Sequence, residues 1–180
     1  MSDLFDKVSG QMDVFKKLAS HIPGFSGYVE RQNRRAADKL LRESVAARFE
    51  ELWTRTSELQ TTMVNEGMIA LMDDMEQAAI KLRTFADKIK TASYGYAGFF
   101  DAVKIKEEEL AQLYQFDLAF FEVAEQIGSA LDNVEASMGD EEGLKAAIRN
   151  LISLAREAVA TFERRYEMIN GSGKQAANVA

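Results

Sequence analysis

Asp117 stands out among the residues able to do chemistry. Leu110, Leu113, Asp117, Phe120, Ala124, Ile127, Leu131 and Val134 recur at steps of three and four, so a single helix face is apolar apart from one carboxylate. An unpaired charge on such a face is too costly to bury, and a partner is required. Arg48, near the stripe of an earlier helix, is one candidate, and a tyrosine hydroxyl or the backbone of a glycine-rich connection is another. Asp117 then reads either as half of a structural ion pair or as a functional acid held away from water.

A second concentration is cationic. Arg31, Arg34, Arg35, Lys39 and Arg42 lie at spacings that keep most of them along one helical face, and Glu30 and Asp38 reduce the stretch 30–42 to a net of +3. These side chains either pair with carboxylates of neighbouring helices or form an anion site for lipid headgroups, a phosphate-bearing ligand or an acidic partner.

Enzyme motifs are scarce. The chain has no cysteine, no phosphate-binding glycine loop and no serine elbow, and no cofactor is expected. Its one histidine, His21, precedes Ile22-Pro23 where a helix should end, and reads as a helix-end or loop residue. Ferritin-like di-iron proteins need two Glu-x-x-His pairs, which one histidine cannot supply. A carboxylate-only metal site drawn from Glu50, Asp73, Asp74 or Glu76 stands as an alternative, although these residues mostly fall off the apolar stripes.

The elements that must position these groups are amphipathic helices. Apolar periodicity predicts five, over about 2–20, 28–64, 68–92, 106–137 and 140–169. The first carries Phe5, Val8, Met12, Phe15 and Leu18 on one side, and the third places Met68, Met72, Met75, Ala79, Leu82, Ala86 and Ile89 at alternating steps. Acidic triplets 107–109 and 140–142 suit the positive end of a helix dipole, and Arg164 and Arg165 suit the opposite pole. The expected fold is all-α, an up-and-down antiparallel bundle of four long helices plus a shorter N-terminal helix. It forms one domain over 1–170, with a flexible tail over 171–180.

Strict alternation of the five helices puts the first and third connections at one end, and the turns at Asn65-Glu66-Gly67 and Met138-Gly139 at the other. The two connections echo each other. Gly24-Phe25-Ser26-Gly27-Tyr28-Val29-Glu30 and Gly95-Tyr96-Ala97-Gly98-Phe99-Phe100-Asp101 share glycine, aromatic, small, glycine, aromatic, apolar and acid in order. Duplication of a helical hairpin and convergence of two hydrophobic turns both produce such an echo. On this reading Phe25, Tyr28, Tyr96, Phe99 and Phe100 gather at one end, beside the arginine strip.

Composition narrows the rest. Charged residues make up 28% and apolar ones 47% of 180 residues, with one proline, as in an ordinary globular chain. A net charge of −7 disfavours nucleic acid, which is bound by neutralising phosphates. No apolar run approaches the ~20 residues that cross a bilayer. The start, Met1 to Lys7, lacks the pattern of a secretory signal, which with the missing thiols leads to the expectation of a cytoplasmic protein.

The stretch Ile22-Pro23-Gly24-Phe25-Ser26-Gly27-Tyr28, followed by Arg34-Arg35-Ala36-Ala37-Asp38-Lys39-Leu40-Leu41-Arg42, resembles a box in uncharacterised bacterial all-helical proteins. The resemblance implies a bacterial cytoplasmic origin and carries no activity. The leading functional expectation is a non-enzymatic interaction protein. It binds a protein or anionic partner through Phe25, Tyr28, Arg31, Arg34, Arg35, Tyr96 and Phe99. The alternatives are the ferritin-like metal protein and a peripheral membrane-associated coiled coil.

Overall fold

The computed structural model describes residues 2–27, 34–92 and 107–177. The chain forms α1 (Ser2–His21), α2 (Arg34–Asn65), a 3₁₀ turn (Ile69–Leu71), α3 (Met72–Thr91), α4 (Glu107–Ala136) and α5 (Glu141–Ala177), with no strand among the described residues. The all-α bundle expected from periodicity is the fold.

Helix ends follow local chemistry. Pro23 disfavours helical backbone at Ile22 and so ends α1 at His21. At the end of α2, Gly67 takes φ +78°, the Met68 N–H donates to the Met63 carbonyl at 2.8 Å and the Gly67 N–H to that of Val64 at 3.1 Å. This is the paired bonding of a Schellman cap. Gly139, at φ +101°, turns the chain between α4 and α5. The last helix continues to Ala177, past Ile169, so 171–177 are helical where the composition suggests a flexible tail. Gly171 has no positive φ, and glycine in helical conformation weakens a helix by only ~1 kcal/mol without ending it.

Contacts divide the chain into two compact units, one of Met1–Ser44, Lys90–Phe121 and Thr161–Ala180, the other of Val45–Ile89 and Glu122–Ala160. In the second, Phe49 and Phe85 pack with ring centres 4.1 Å apart, and Gln60 donates to Glu76 at 2.7 Å, so α2 and α3 run antiparallel. Arg55 reaches forward from α2 to Asp132 at 2.6 Å while Leu52 lies opposite Gly128, which makes α2 and α4 parallel. Arg156 of α5 bonds Gln77 of α3 at 3.0 Å. These registers are those of an up-and-down bundle.

The first unit departs from strict alternation. Phe15 packs edge-on against Tyr114 with ring centres 5.9 Å apart, and His21 stacks on Phe121 at 4.8 Å, so α1 runs parallel to α4, where alternation has them opposed. The cause is the connection after α1, in which Gly24 (φ +80°) and Gly27 (φ +78°) fold the chain back alongside the helix it has just left. Phe25 thereby returns to Phe15, with ring centres 6.1 Å apart, and Gly27 reaches the Tyr114 hydroxyl. A Cβ on Gly27 would lie 2.7 Å from that oxygen and 2.8 Å from Phe15, a space only glycine fits. Of the predicted α1 stripe, Leu18 is fully buried and Met12 is 55% exposed, while the side chains of Phe5 and Val8 lie outside the described residues.

Candidate functional site

The first unit is built around four buried charges. Arg165 of α5 and Asp117 of α4 have no exposed surface, Asp38 of α2 is 3% exposed and Arg42 is 7% exposed. The Arg165 Nε donates to Asp117 Oδ1 at 2.6 Å, and its Nη2 donates to Asp38 Oδ1 at 3.0 Å. Asp38 Oδ2 accepts from Arg42 Nε at 2.8 Å, and Arg42 Nη1 reaches the Lys90 carbonyl at 3.2 Å. Two carboxylates and two guanidiniums thus form a chain of zero net charge that ties α2, α4 and α5 together and reaches the end of α3. Charge-assisted bonds of this length are the strong ones, and mutual pairing offsets the desolvation each ion suffers. Chemically the chain clamps helices, with both carboxylates buried and each committed to a guanidinium.

The expected partner of Asp117 is therefore corrected. Arg48 keeps 44% of its side chain exposed and donates to Glu51 at 2.9 Å, one helical turn away. It lies beside the α2 stripe and points outward, so it is not a buried polar residue. Arg165 was legible in another way. Leu144, Ile148, Leu151, Ala155, Ala158 and Phe162 are all buried and alternate steps of four and three, and the next step falls on Arg165. Asp38 likewise sits three residues before buried Leu41 on the α2 stripe.

The arginine strip divides accordingly. Arg42 turns inward with Asp38, while Arg34 is half-exposed and Arg35 and Lys39 are exposed. Lys39 approaches Glu43 to 3.7 Å with 68% of its side chain in solvent, a contact of small energetic weight. The first turn of α2 holds Arg34 and Arg35 and no acid. Phe25, expected at the partner surface, is instead 6% exposed and packs against Phe15, because the doubled-back connection folds its ring under the chain. Tyr28, Arg31, Tyr96, Phe99 and Phe100 lie outside the described residues.

No protein-family model, curated protein sequence or solved structure matches the chain. Function must be argued from its own residues. Among the described residues no group of three or more His, Cys, Asp or Glu side chains is placed to hold a metal ion. Of the proposed carboxylate ligands, Glu76 accepts from Gln60 and Asp73 is exposed at the start of α3. No helix among the described residues is long and apolar enough to cross a membrane. His21 closes α1, half-buried, with its ring tilted only 8° from that of Phe121.

The second unit carries its own polar cluster, more exposed than the first. Arg55 donates to Asp132 at 2.6 Å and to Glu135 at 3.0 Å. The bond to Asp132 raises the Arg55 pKa above its ordinary value, against the opposing effect of burial.

Proposed function

We propose that the protein is a non-catalytic helical interaction module that takes an acidic protein partner at the start of α2, through Arg34, Arg35 and Lys39. The observation that carries this reading is the placement of two arginines, with no acid, in the first turn of that helix. A cation there opposes the helix dipole, at roughly 0.3–1 kcal/mol each. The dipole does not favour cations at this position, and a local rule broken in this way supports a binding role. The buried clamp beneath supports the same reading, since Asp38 and Arg42 hold this segment of α2 against α4 and α5 and so present the arginines from a rigid base.

A protein surface suits this site better than a lipid one. Each cation near an anionic membrane contributes about 1 kcal/mol, so three supply about 3, less than the ~4 kcal/mol of even a millimolar complex. Arginine in an interface adds planar, bidentate pairing with carboxylates. The test is affinity capture from lysate of the organism with the wild type and with Arg34→Glu/Arg35→Glu, matched for helicity by circular dichroism. The reading expects discrete partners, rich in acidic surface, that the double variant loses. The same partners recovered at the same yield would refute it, and so would pelleting of the wild type with anionic vesicles in place of protein capture.

A further inference from the structure

Between α2 and α3 the second unit has an apolar turn that the fold covers only in part. Met68-Ile69-Ala70-Leu71-Met72 is five consecutive apolar residues, none of them buried, and Ile69 is 68% exposed. Periodicity assigns Met68 and Met72 to the α3 stripe, yet the α3 core begins only at Met75, because the 3₁₀ turn breaks the register. Val64, just before this run, is 51% exposed. Ile69 and Ala70 are exposed and Met68, Leu71 and Met72 half-buried, and apolar surface left in water in this way is a liability unless something covers it.

Beside the run lies a cleft of about 310 Å³ lined by Met68, Ala70 and Leu71 from one turn and by Gly139, Glu141 and Leu144 from the other. Sites for small molecules span roughly 300–1,000 Å³, so this one, at the bottom of the range, suits one or two side chains. Gly67 and Gly139 both have positive φ, and a Cβ on either would meet no atom within 4 Å, so the cleft mouth is open above both turns.

The two turns that frame the cleft are acidic: Glu141 lines it, and Glu66, Asp73, Asp140 and Glu142 in the same stretches are exposed. Residues 64–77 contain four carboxylates and residues 132–144 contain five, and neither stretch has a lysine or arginine. Helix starts explain Asp73 and Asp74 and likewise Glu141 and Glu142. They do not explain Glu66 just past α2, where negative charge opposes the dipole and no basic residue stands in the last turn, whereas Glu135 in the last turn of α4 accepts from Arg55.

We propose that this cleft docks a basic amphipathic helix of another protein, with a large apolar side chain in the cleft and lysines or arginines over the rim. Apolar floor and acidic border select that occupant together. An apolar helix with an acidic flank is repelled by the rim, and a basic segment without an apolar face leaves the exposed run uncovered. The mode is helix-in-groove recognition, in which spaced apolar anchors supply affinity and charge sets partner choice. The surface is separate from the arginines at the start of α2.

The test uses the full chain and three labelled synthetic helices in fluorescence anisotropy. One has a leucine face and a lysine face, one replaces lysine with glutamate, and one replaces leucine with serine. The leucine–lysine helix is expected to bind and the other two to bind at least about tenfold more weakly, a difference of ~1.4 kcal/mol. Ala70→Trp, which fills the cleft from an exposed position, and Glu66→Lys, which the α2 dipole favours, each weaken binding about tenfold with helicity unchanged. Glu167→Lys makes the same charge change at an exposed position in the other unit and leaves binding intact, as does Arg34→Glu/Arg35→Glu. Equal binding of the glutamate helix would overturn the proposal. So would indifference to Ala70→Trp, equal weakening by Glu167→Lys, or concentration-dependent self-association that Ala70→Trp abolishes, which would make a second copy the occupant.

Discussion

Removal of single members of the buried charge chain tests the clamp, and the geometry ranks the outcomes. Arg165→Met leaves Asp117, with no exposed surface, stripped of its 2.6 Å partner, while Asp38 keeps Arg42. Breaking a fully buried pair from one side costs about 3–5 kcal/mol, and this variant should fall in that range. Asp117→Val leaves Arg165 still bonded to Asp38 at 3.0 Å, so the excess charge is shared and the loss is smaller, about 2–4 kcal/mol. Asp38→Val is the mildest, since the Asp117–Arg165 pair survives and Arg42 retains both the Lys90 carbonyl and a path to solvent. The double variant Asp117→Val/Arg165→Met removes a neutral pair and leaves Asp38–Arg42 intact. Replacing a buried pair with apolar groups is often neutral or stabilising, so its loss should be well under either single loss. Urea unfolding followed at 222 nm, with a check that the slope is constant, gives all four values. At roughly 2–4 °C per kcal/mol for a chain of this size, Arg165→Met should lower Tm by about 10 °C. A double variant whose loss equals the sum of the singles, or an Arg165→Met loss below ~1 kcal/mol, would refute the clamp.

Gly27→Ala should destabilise by about 2–4 kcal/mol in the same assay, since positive φ and the approach to Tyr114 and Phe15 act together, whereas Gly67→Ala, with the same φ and open space around it, should lose only about 1–2. Equal losses would mean that the tight fit at Gly27 has no energetic weight. Arg34→Glu/Arg35→Glu should raise stability by about 1 kcal/mol, because acids replace cations at the positive pole of α2. A lowered Tm in that variant would show that the two arginines serve the fold.

The helices and their faces were legible because periodicity encodes burial directly. Leu82 and Ile89, Ile127 and Leu131, and Ile148 and Leu151, each pair on one such stripe, are all buried. Asp117 was legible for the same reason, as a charge on an apolar stripe. Its partner was missed because Arg165, a stripe residue too, also sits near a helix end, where an arginine has a sufficient local explanation in the dipole. The reversal after α1 could not be read, since it depends on a contact between Gly27 and Tyr114, far apart in sequence. That Met68 and Met72 are only half-buried was hidden as well. Apolar spacing continues through the turn, and only the 3₁₀ geometry takes those side chains off the core.

Both nominated surfaces share one physical feature, charge at the wrong pole of a helix. Cations stand in the first turn of α2, and carboxylates stand at or just past the ends of α2 and α4. Each such residue forfeits a few tenths to one kcal/mol that the opposite sign would gain. The fold shows the favourable arrangement elsewhere, with acids in the first turns of α3 and α5. Arg55 compensates two of the misplaced carboxylates, Asp132 and Glu135, but it is 35% exposed at the side chain, and pairs of that exposure recover little. A chain that buries four charges in mutual pairs has the means to satisfy its ions internally. The cations in the first turn of α2 and Glu66 just past its end stand against the dipole of that helix, and the two proposed surfaces are built on these positions.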